Sequence, residues 1–318
     1  MGFPHFTDIE KAAETIAPYA ERTPVRFNAA IDEMFGAEIF FKCENFQKVG
    51  AFKFRGACNA VFNLSEDEAA KGVATHSSGN HGAALSLAGS LRGIPVHVVM
   101  PNNAPRIKID NVAQYDANIT LCEPTLDARE TTLDKIMEKT GAVMIHPYND
   151  DRIICGQGTA GRELLLEYSD LDAVMAPIGG GGLISGTCIA AKGLNPNISI
   201  IGAEPKGADD AYQSFIKGEI VPQTNPQTMA DGLLTSLGEK TFPIIQKYVK
   251  EIITVSEEHI TEAMQIIFQK LDMIIEPSSA VVLATLLENN SSTQGKKVGM
   301  IITGGKGQIG RASCRERV

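Results

Sequence analysis

Between residues 72 and 146 the chain alternates short apolar runs with longer stretches of mixed polarity. The runs at 73–75, 96–100, 119–121 and 143–145 have the length of strands, and the segments at 82–91, 105–115 and 126–139 read as helices. Alternation of this kind predicts a parallel sheet with helices on its faces. It resumes after residue 149, with strand-like runs at 173–175, 199–203, 252–255 and 298–302. Upstream, apolar positions at Ile9, Ala12, Ala13 and Ile16 predict a helix capped by Asp8 and interrupted by Pro18. A strand follows Thr23-Pro24-Val25, another is expected over 38–42, and a helix over 56–64. The chain therefore reads as α/β in two domains: a large one from residues 1–71 and 147–318, and a small one, 72–146, inserted into it. No internal repeat is visible, and residues 289–293 are a polar loop.

A length of 318 residues suits about two domains. The net charge of -9 and the lack of a basic run disfavour nucleic acid as a partner. No apolar run reaches the ~18 residues needed to span a bilayer. Met1-Gly2-Phe3-Pro4-His5-Phe6 has neither a charged leader nor the hydroxyl that a myristoylation signal wants at its sixth position. The expectation is a cytoplasmic protein with no membrane partner. Cys43, Cys58, Cys122, Cys155, Cys188 and Cys314 show no paired spacing, which fits reduced thiols better than disulfides or zinc.

Candidate chemistry centres on Lys53, flanked by Phe52 and Phe54 in Val49-Gly50-Ala51-Phe52-Lys53-Phe54-Arg55-Gly56. An amine kept out of bulk water can form a Schiff base; the alternative is a surface lysine between two core phenylalanines. Ser77-Ser78-Gly79-Asn80-His81-Gly82 follows a strand and opens a helix, so its backbone N–H groups suit an anion such as a carboxylate. Pro177-Ile178-Gly179-Gly180-Gly181-Gly182-Leu183 repeats the strand, glycine loop, helix order and suits a phosphate ester. Finally, the apolar strand at 298–302 ends in Thr303-Gly304-Gly305, which places a hydroxyl at a strand terminus.

Lysine, anion loop, phosphate loop and terminal hydroxyl, in this order, resemble the pyridoxal-phosphate enzymes of the tryptophan-synthase-β type, and within them serine racemase and the serine/threonine dehydratases. The resemblance runs from Thr23-Pro24 to Gly305. It implies the two-domain fold-type II architecture, each domain an open sheet flanked by helices, and a homodimer. It also implies that Lys53 holds pyridoxal 5'-phosphate as a Schiff base and then serves as the base at the substrate Cα. Gly179, Gly180, Gly181, Gly182 and Leu183 would hold the phosphate, and Asn80 the ring 3-oxygen. Phe52 and Gly232 would line the cofactor, and Thr303 would donate to the pyridine nitrogen. Glu276 lies near this region in the family; its alternative is a helix N-terminal acid. Ser77 and Ser78 fall in the substrate loop, where Ser78 would be a second acid/base group on the opposite face of the cofactor, permitting inversion; its alternative is a second carboxylate ligand. His81 is read as shaping the loop.

The resemblance further matches Glu204, the Ala208 carbonyl and Asp210 to a divalent-cation site for Mg²⁺, Mn²⁺ or Ca²⁺, a set of hard oxygen donors. Arg129 matches an arginine that can reach the second carboxylate of a diacid, and Thr235 matches a serine beside the same pocket; alone, Arg129 would read as a solvated helix residue. Two departures weaken a mammalian-type reading: Tyr148, which dehydratases tend to carry where the mammalian racemase has asparagine, and Val49, which replaces a threonine of its nucleotide-binding segment and so weighs against ATP activation. The expected activity is serine racemase and L-serine (threonine) ammonia-lyase. L-threo-3-hydroxyaspartate ammonia-lyase is the alternative, and a catalytically silent α/β binding protein the remote one. The decapeptide at 309–318 lacks apolar periodicity and back-translates to a common sequencing adapter, so it is expected to be non-native and carries no functional weight.

Overall fold

In the computed structural model of this chain, residues 2–77, 79–288 and 292–305 are described; Ser78 and the anomalous tail lie outside them. Strands β1 (Val25–Arg26), β2 (Glu38–Cys43), β3 (Val73–His76), β4 (Val96–Pro101), β5 (Asn118–Cys122), β6 (Val143–Met144), β7 (Ala173–Pro177), β8 (Ser199–Pro205), β9 (Glu251–Val255) and β10 (Lys297–Ile302) form two sheets. One has the order β1-β2-β10-β7-β8-β9, parallel except for β1; the other, β5-β4-β3-β6, is parallel throughout. The strands of the smaller sheet all fall, in sequence, between β2 and β7. Apolar side chains bury both faces of each sheet, as parallel sheets require.

Three helix starts differ from expectation, and two of the differences bear on candidate site residues. The helix expected from residue 56 begins at Lys53, and the one expected from residue 82 begins at Asn80. Gly56 does not break its helix. It permits close approach to the helix Asp151–Glu167, where a Cβ on Gly156 would lie 2.6 Å from the Arg55 carbonyl oxygen. The first helix starts at Phe6 rather than after Asp8; Asp8 works one turn in, accepting the His5 N–H at 3.0 Å.

The Lys53–Phe62 helix joins the two halves. Phe54, Ala57, Cys58, Ala60 and Val61 bury into the core beneath the smaller sheet, while the helix also packs along Asp151–Glu167 of the larger unit. Its buried Arg55 is clamped by two acids. Nε lies 2.6 Å from Glu44 Oε2, and Nη1 lies 2.7 Å from Glu163 Oε1. Buried Lys42 completes the set, 2.5 Å from Glu163 Oε2, so two cations face two anions. A buried charge cluster is tolerable only when paired and hydrogen-bonded in this way. It fixes the backbone two residues beyond Lys53.

Candidate active site

Lys53 occupies the first turn of its helix, partly buried, with its amine 3.0 Å from the Pro147 carbonyl oxygen and 5.2 Å from the centre of the Phe52 ring. Burial lowers its pKa to about 8, with Glu276 pulling the other way. A substantial neutral fraction therefore exists near neutral pH, as a nucleophilic amine needs.

The larger sheet brings two of the glycine-containing segments to this amine. After β7 the chain runs through Gly179 to Gly181, which has φ of 87°, into the helix Gly182–Leu194. Ser185 donates the first helical hydrogen bond, to Gly181, so the N–H groups of Gly182, Leu183 and Ile184 precede the ladder and point out of the helix start. A Cβ on Gly180 would lie 2.3 Å from the Tyr148 ring, and one on Gly179 3.1 Å from the Gly232 carbonyl oxygen. Only glycine fits this cradle. Beyond β10, the carbonyl of Thr303 accepts the Phe52 N–H at 2.9 Å, which ties the strand-end hydroxyl to the lysine segment.

Thr303 is buried beside Ser279 and Glu276. Its Oγ1 lies 2.8 Å from Ser279 Oγ and 3.5 Å from Glu276 Oε1, and Ser279 Oγ also accepts the Gly304 N–H at 2.8 Å. The single Ser279 proton has two acceptors within reach, Thr303 Oγ1 and the Gly304 carbonyl oxygen at 2.8 Å; when it goes to Thr303, the Thr303 proton is left for another acceptor, and when it goes to Gly304, Thr303 donates to Ser279. Burial raises the Glu276 carboxyl to about 7, opposed mainly by Asn80, whose Nδ2 lies 3.1 Å from Oε2. Glu276 thus bridges Asn80, on the smaller sheet's helix, to the larger sheet's strand end. It also immediately precedes the helix Pro277–Glu288, the position of a helix N-terminal acid.

In the anion loop, Ser77 Oγ accepts the N–H groups of Gly79 and Gly82, each at 3.3 Å. His81 is buried with Nε2 3.1 Å from the Ile145 carbonyl oxygen, and burial pushes its pKa down to about 3. At neutral pH the ring is uncharged, and it ties the start of the helix Asn80–Arg92 to the backbone at residue 145. Arg129 sits in the helix Leu126–Thr140, close enough to act on the charge of His76; its Nε is buried with no hydrogen-bond partner among the described residues. Thr235 is exposed, and its hydroxyl reaches the Tyr148 phenol.

Glu204, near the end of β8, and Ala208 and Asp210, which follow that strand, are all buried. Burial, reinforced by Asp210, pushes Glu204 up to about 9; burial pushes Asp210 up to about 7. Each also accepts backbone N–H groups, Glu204 from Ala211 at 3.0 Å and Tyr212 at 2.9 Å, Asp210 from Leu237 at 3.3 Å. Among the described residues no cluster of three or more His, Cys, Asp or Glu side chains could hold a metal. The donor set here is two carboxylates and a carbonyl.

The sequence reading missed Ser278, Ser279, Lys108 and Asp231. Ser278 Oγ accepts the Gly232 N–H at 2.9 Å. Both serines directly follow Glu276-Pro277, a helix-start pattern in which hydroxyls near the N-terminus serve backbone donors, and that signal was available.

Residues 16–304 match the family model described as pyridoxal-phosphate dependent enzyme, which takes in the lysine, both loops and the strand-end threonine. The chain belongs to this family. It is 52% identical over 305 residues to a beta-hydroxyaspartate dehydratase of Paracoccus denitrificans, covering 96% of this chain and 97% of that protein. It is 49% identical over 302 residues to a serine racemase of Dictyostelium discoideum, covering 94% and 93%. The solved structure of maize serine racemase superposes with a TM-score of 0.96 at 44% identity, covering 99% of this chain and 97% of that one. Family membership makes the chain a pyridoxal-phosphate enzyme of fold type II, as the order of its motifs implies. No helix among the described residues is long and apolar enough to cross a membrane.

Proposed function

We propose that the chain removes the Cα proton of a small β-hydroxy amino acid and then either returns it, interconverting the enantiomers, or lets the β-hydroxyl leave, giving a keto acid and ammonia. The observation that carries this is the Lys53 amine, lowered in pKa and set beside a glycine-only cradle whose helix start presents free N–H groups. Pyridoxal phosphate, bound there, supplies an electron sink for the negative charge that develops at Cα. The chain's own residues do the rest. Lys53 takes the proton, and Gly179 to Leu183 hold the phosphate. Ser77 and the start of the helix Asn80–Arg92 receive the substrate carboxylate. Phe52, Gly232, Glu276 and Thr303 confine the ring, with Thr303 donating to its nitrogen. By the family resemblance, Ser78 would be the second acid/base group that permits inversion.

Lys53→Ala should abolish both keto-acid release and the visible absorbance of the bound cofactor; normal keto-acid release by that variant overturns the assignment. Ser78→Ala should lose racemisation while dehydration of L-serine remains measurable. Parallel loss of both reactions assigns Ser78 to substrate binding instead.

A specific observation favours hydroxyaspartate as a further substrate. Arg129 has a buried Nε with no hydrogen-bond partner among the described residues, near His76 at the entry to the anion loop, and serine has no second carboxylate to engage it. The 52% identity to a protein named for that activity points the same way. The reading includes a divalent cation at Glu204, Ala208 and Asp210. Two buried carboxylates pushed up in pKa are what such an ion would relieve. A homodimer in the cytoplasm completes the reading, supported by the family resemblance.

A further inference from the structure

Lys108 lies on the helix Arg106–Ala113, which follows β4 and is seated in the smaller sheet's core through Val112 and Ile109. Its Nζ is 2.8 Å from Asp231 Oδ2. Asp231 belongs to the other half of the molecule: it opens the short turn Asp231–Leu233, whose Gly232 is held by Ser278 and backs onto Gly179. The pair therefore crosses from one sheet's helices to the wall of the glycine cradle. A second polar contact crosses at the same place, since Asn80, on the helix that packs against Arg106–Ala113, reaches Glu276. Lys108 and Asp231 both also act, in opposite senses, on the charge of Glu276, which places them within electrostatic reach of the site.

We infer that Lys108 is a positioning residue, and that its ion pair with Asp231 latches the smaller sheet's helices closed over the active site. The inference rests on the proposed site lying between the two sheets. Substrate must enter and product leave that space, so a latch has to open in every turnover. The two side chains are 21% and 33% exposed, neither buried nor free. A partly hydrated pair of this kind holds by a factor of only about two to five, which biases closure without locking it. A fully buried pair such as Arg55 with Glu44 would not release on that timescale.

The test uses the full chain with cofactor bound and compares Lys108→Met, Asp231→Asn and the exchange of charges, Lys108→Asp with Asp231→Lys. Amide hydrogen exchange is followed over the helices Arg106–Ala113 and Asn80–Arg92, alongside KM and kcat. Each single variant should raise exchange in both helices about two- to fivefold and raise KM more than kcat falls, and the charge exchange should move all three back toward the parent. In the parent, about 1 M salt, where the screening length is about 3 Å, should loosen the same helices and leave the single variants unchanged. Unchanged exchange in the single variants, or a charge-exchanged protein no tighter than either of them, overturns the latch. If a substituted chain fails to fold, the salt response of the parent decides: helices indifferent to salt also overturn it. The exchange measurement needs no turnover, so a chain with no detectable lyase or racemase activity would fail the proposed function while still deciding the latch.

Discussion

The Lys53 amine donates to the carbonyl oxygen of Pro147 at 3.0 Å, across the junction where the chain returns from the smaller sheet to the larger. That junction is held on several sides. The Ile145 carbonyl meets His81, the His146 ring nitrogen accepts the N–H groups of Tyr148 and Asn149, and Asn149 accepts the Lys240 N–H. The lysine is thus aimed by a segment that is itself fixed, and among the described residues Glu276 is the charge that acts on its amine.

A titration follows from this placement. In cofactor-free protein, labelling of Lys53 by an amine-selective reagent should reach half its maximal rate near pH 8, where an ordinary lysine would require about pH 10.5. Peptide mass spectrometry across a pH series reads this site alone, and a midpoint near 10.5 would contradict the burial argument. The linked stability has a definite sign. Because the folded pKa is lowered, the cost of charging Lys53 is fully present below pH 8 and disappears as pH rises through the unfolded value. Lys53→Met should therefore stabilise the cofactor-free protein at pH 7, by a margin that shrinks toward pH 10.

The architecture was legible because parallel strands buried on both faces are written as continuous apolar runs, and each run at 73–75, 96–100, 119–121, 173–175, 199–203, 252–255 and 298–302 falls within a strand. The glycine loop was legible for a different reason, since four glycines in a row are intelligible only where backbone must approach something closely. Arg55, Glu44, Glu163 and Lys42 could not be read as a cluster. Each is an ordinary charged residue locally, and only the packing of the helices Lys53–Phe62 and Asp151–Glu167 against each other and against the end of β2 brings them together. The Lys108–Asp231 pair escaped for the same reason, with 123 positions separating its partners. Pattern reports which face of an element is buried, but not which distant side chains share that burial.

Removal of Arg55 should expose how much the buried cluster matters. Arg55→Met leaves Glu44, fully buried, and Glu163 without their main counter-charge, and the expected loss is about 3–5 kcal/mol in urea unfolding. Arg55→Lys should recover only part of it, because one ammonium cannot span two carboxylates as a guanidinium does. A loss below about 1 kcal/mol for Arg55→Met would show that the two acids take up protons at little cost.

Glu204 and Asp210 give a ligand test independent of turnover. A divalent cation that binds only the folded chain raises its stability by mass action, about 2.7 kcal/mol at a hundredfold excess over Kd. Thermal unfolding of the parent should shift upward by a few degrees with Mg²⁺, Mn²⁺ or Ca²⁺ and back with a chelator, and Asp210→Ala should respond to neither. Indifference of the parent to all three ions would leave the Glu204 carboxylate with its other visible task, accepting the N–H groups that open the helix Asp210–Lys217.

Arg129 should decide which substrates the site prefers. Its Nε is buried with no hydrogen-bond partner among the described residues, near His76 and the loop proposed to receive the substrate carboxylate, and an unmet donor there is costly. A second carboxylate on the substrate would meet that donor, and a guanidinium can take it through two parallel hydrogen bonds. Charged contacts of this kind contribute about 1.5–3 kcal/mol, or roughly tenfold to a hundredfold in discrimination. L-threo-3-hydroxyaspartate should therefore be dehydrated with a kcat/KM above that of L-serine. Arg129→Ala should lower the hydroxyaspartate value at least tenfold and the serine value far less, while Thr235→Ala, which alters only a hydroxyl at the rim, should change both modestly. Matching losses for the two substrates in Arg129→Ala, or no hydroxyaspartate turnover by the parent, would confine the site to monocarboxylate amino acids and leave the buried guanidinium with a structural role.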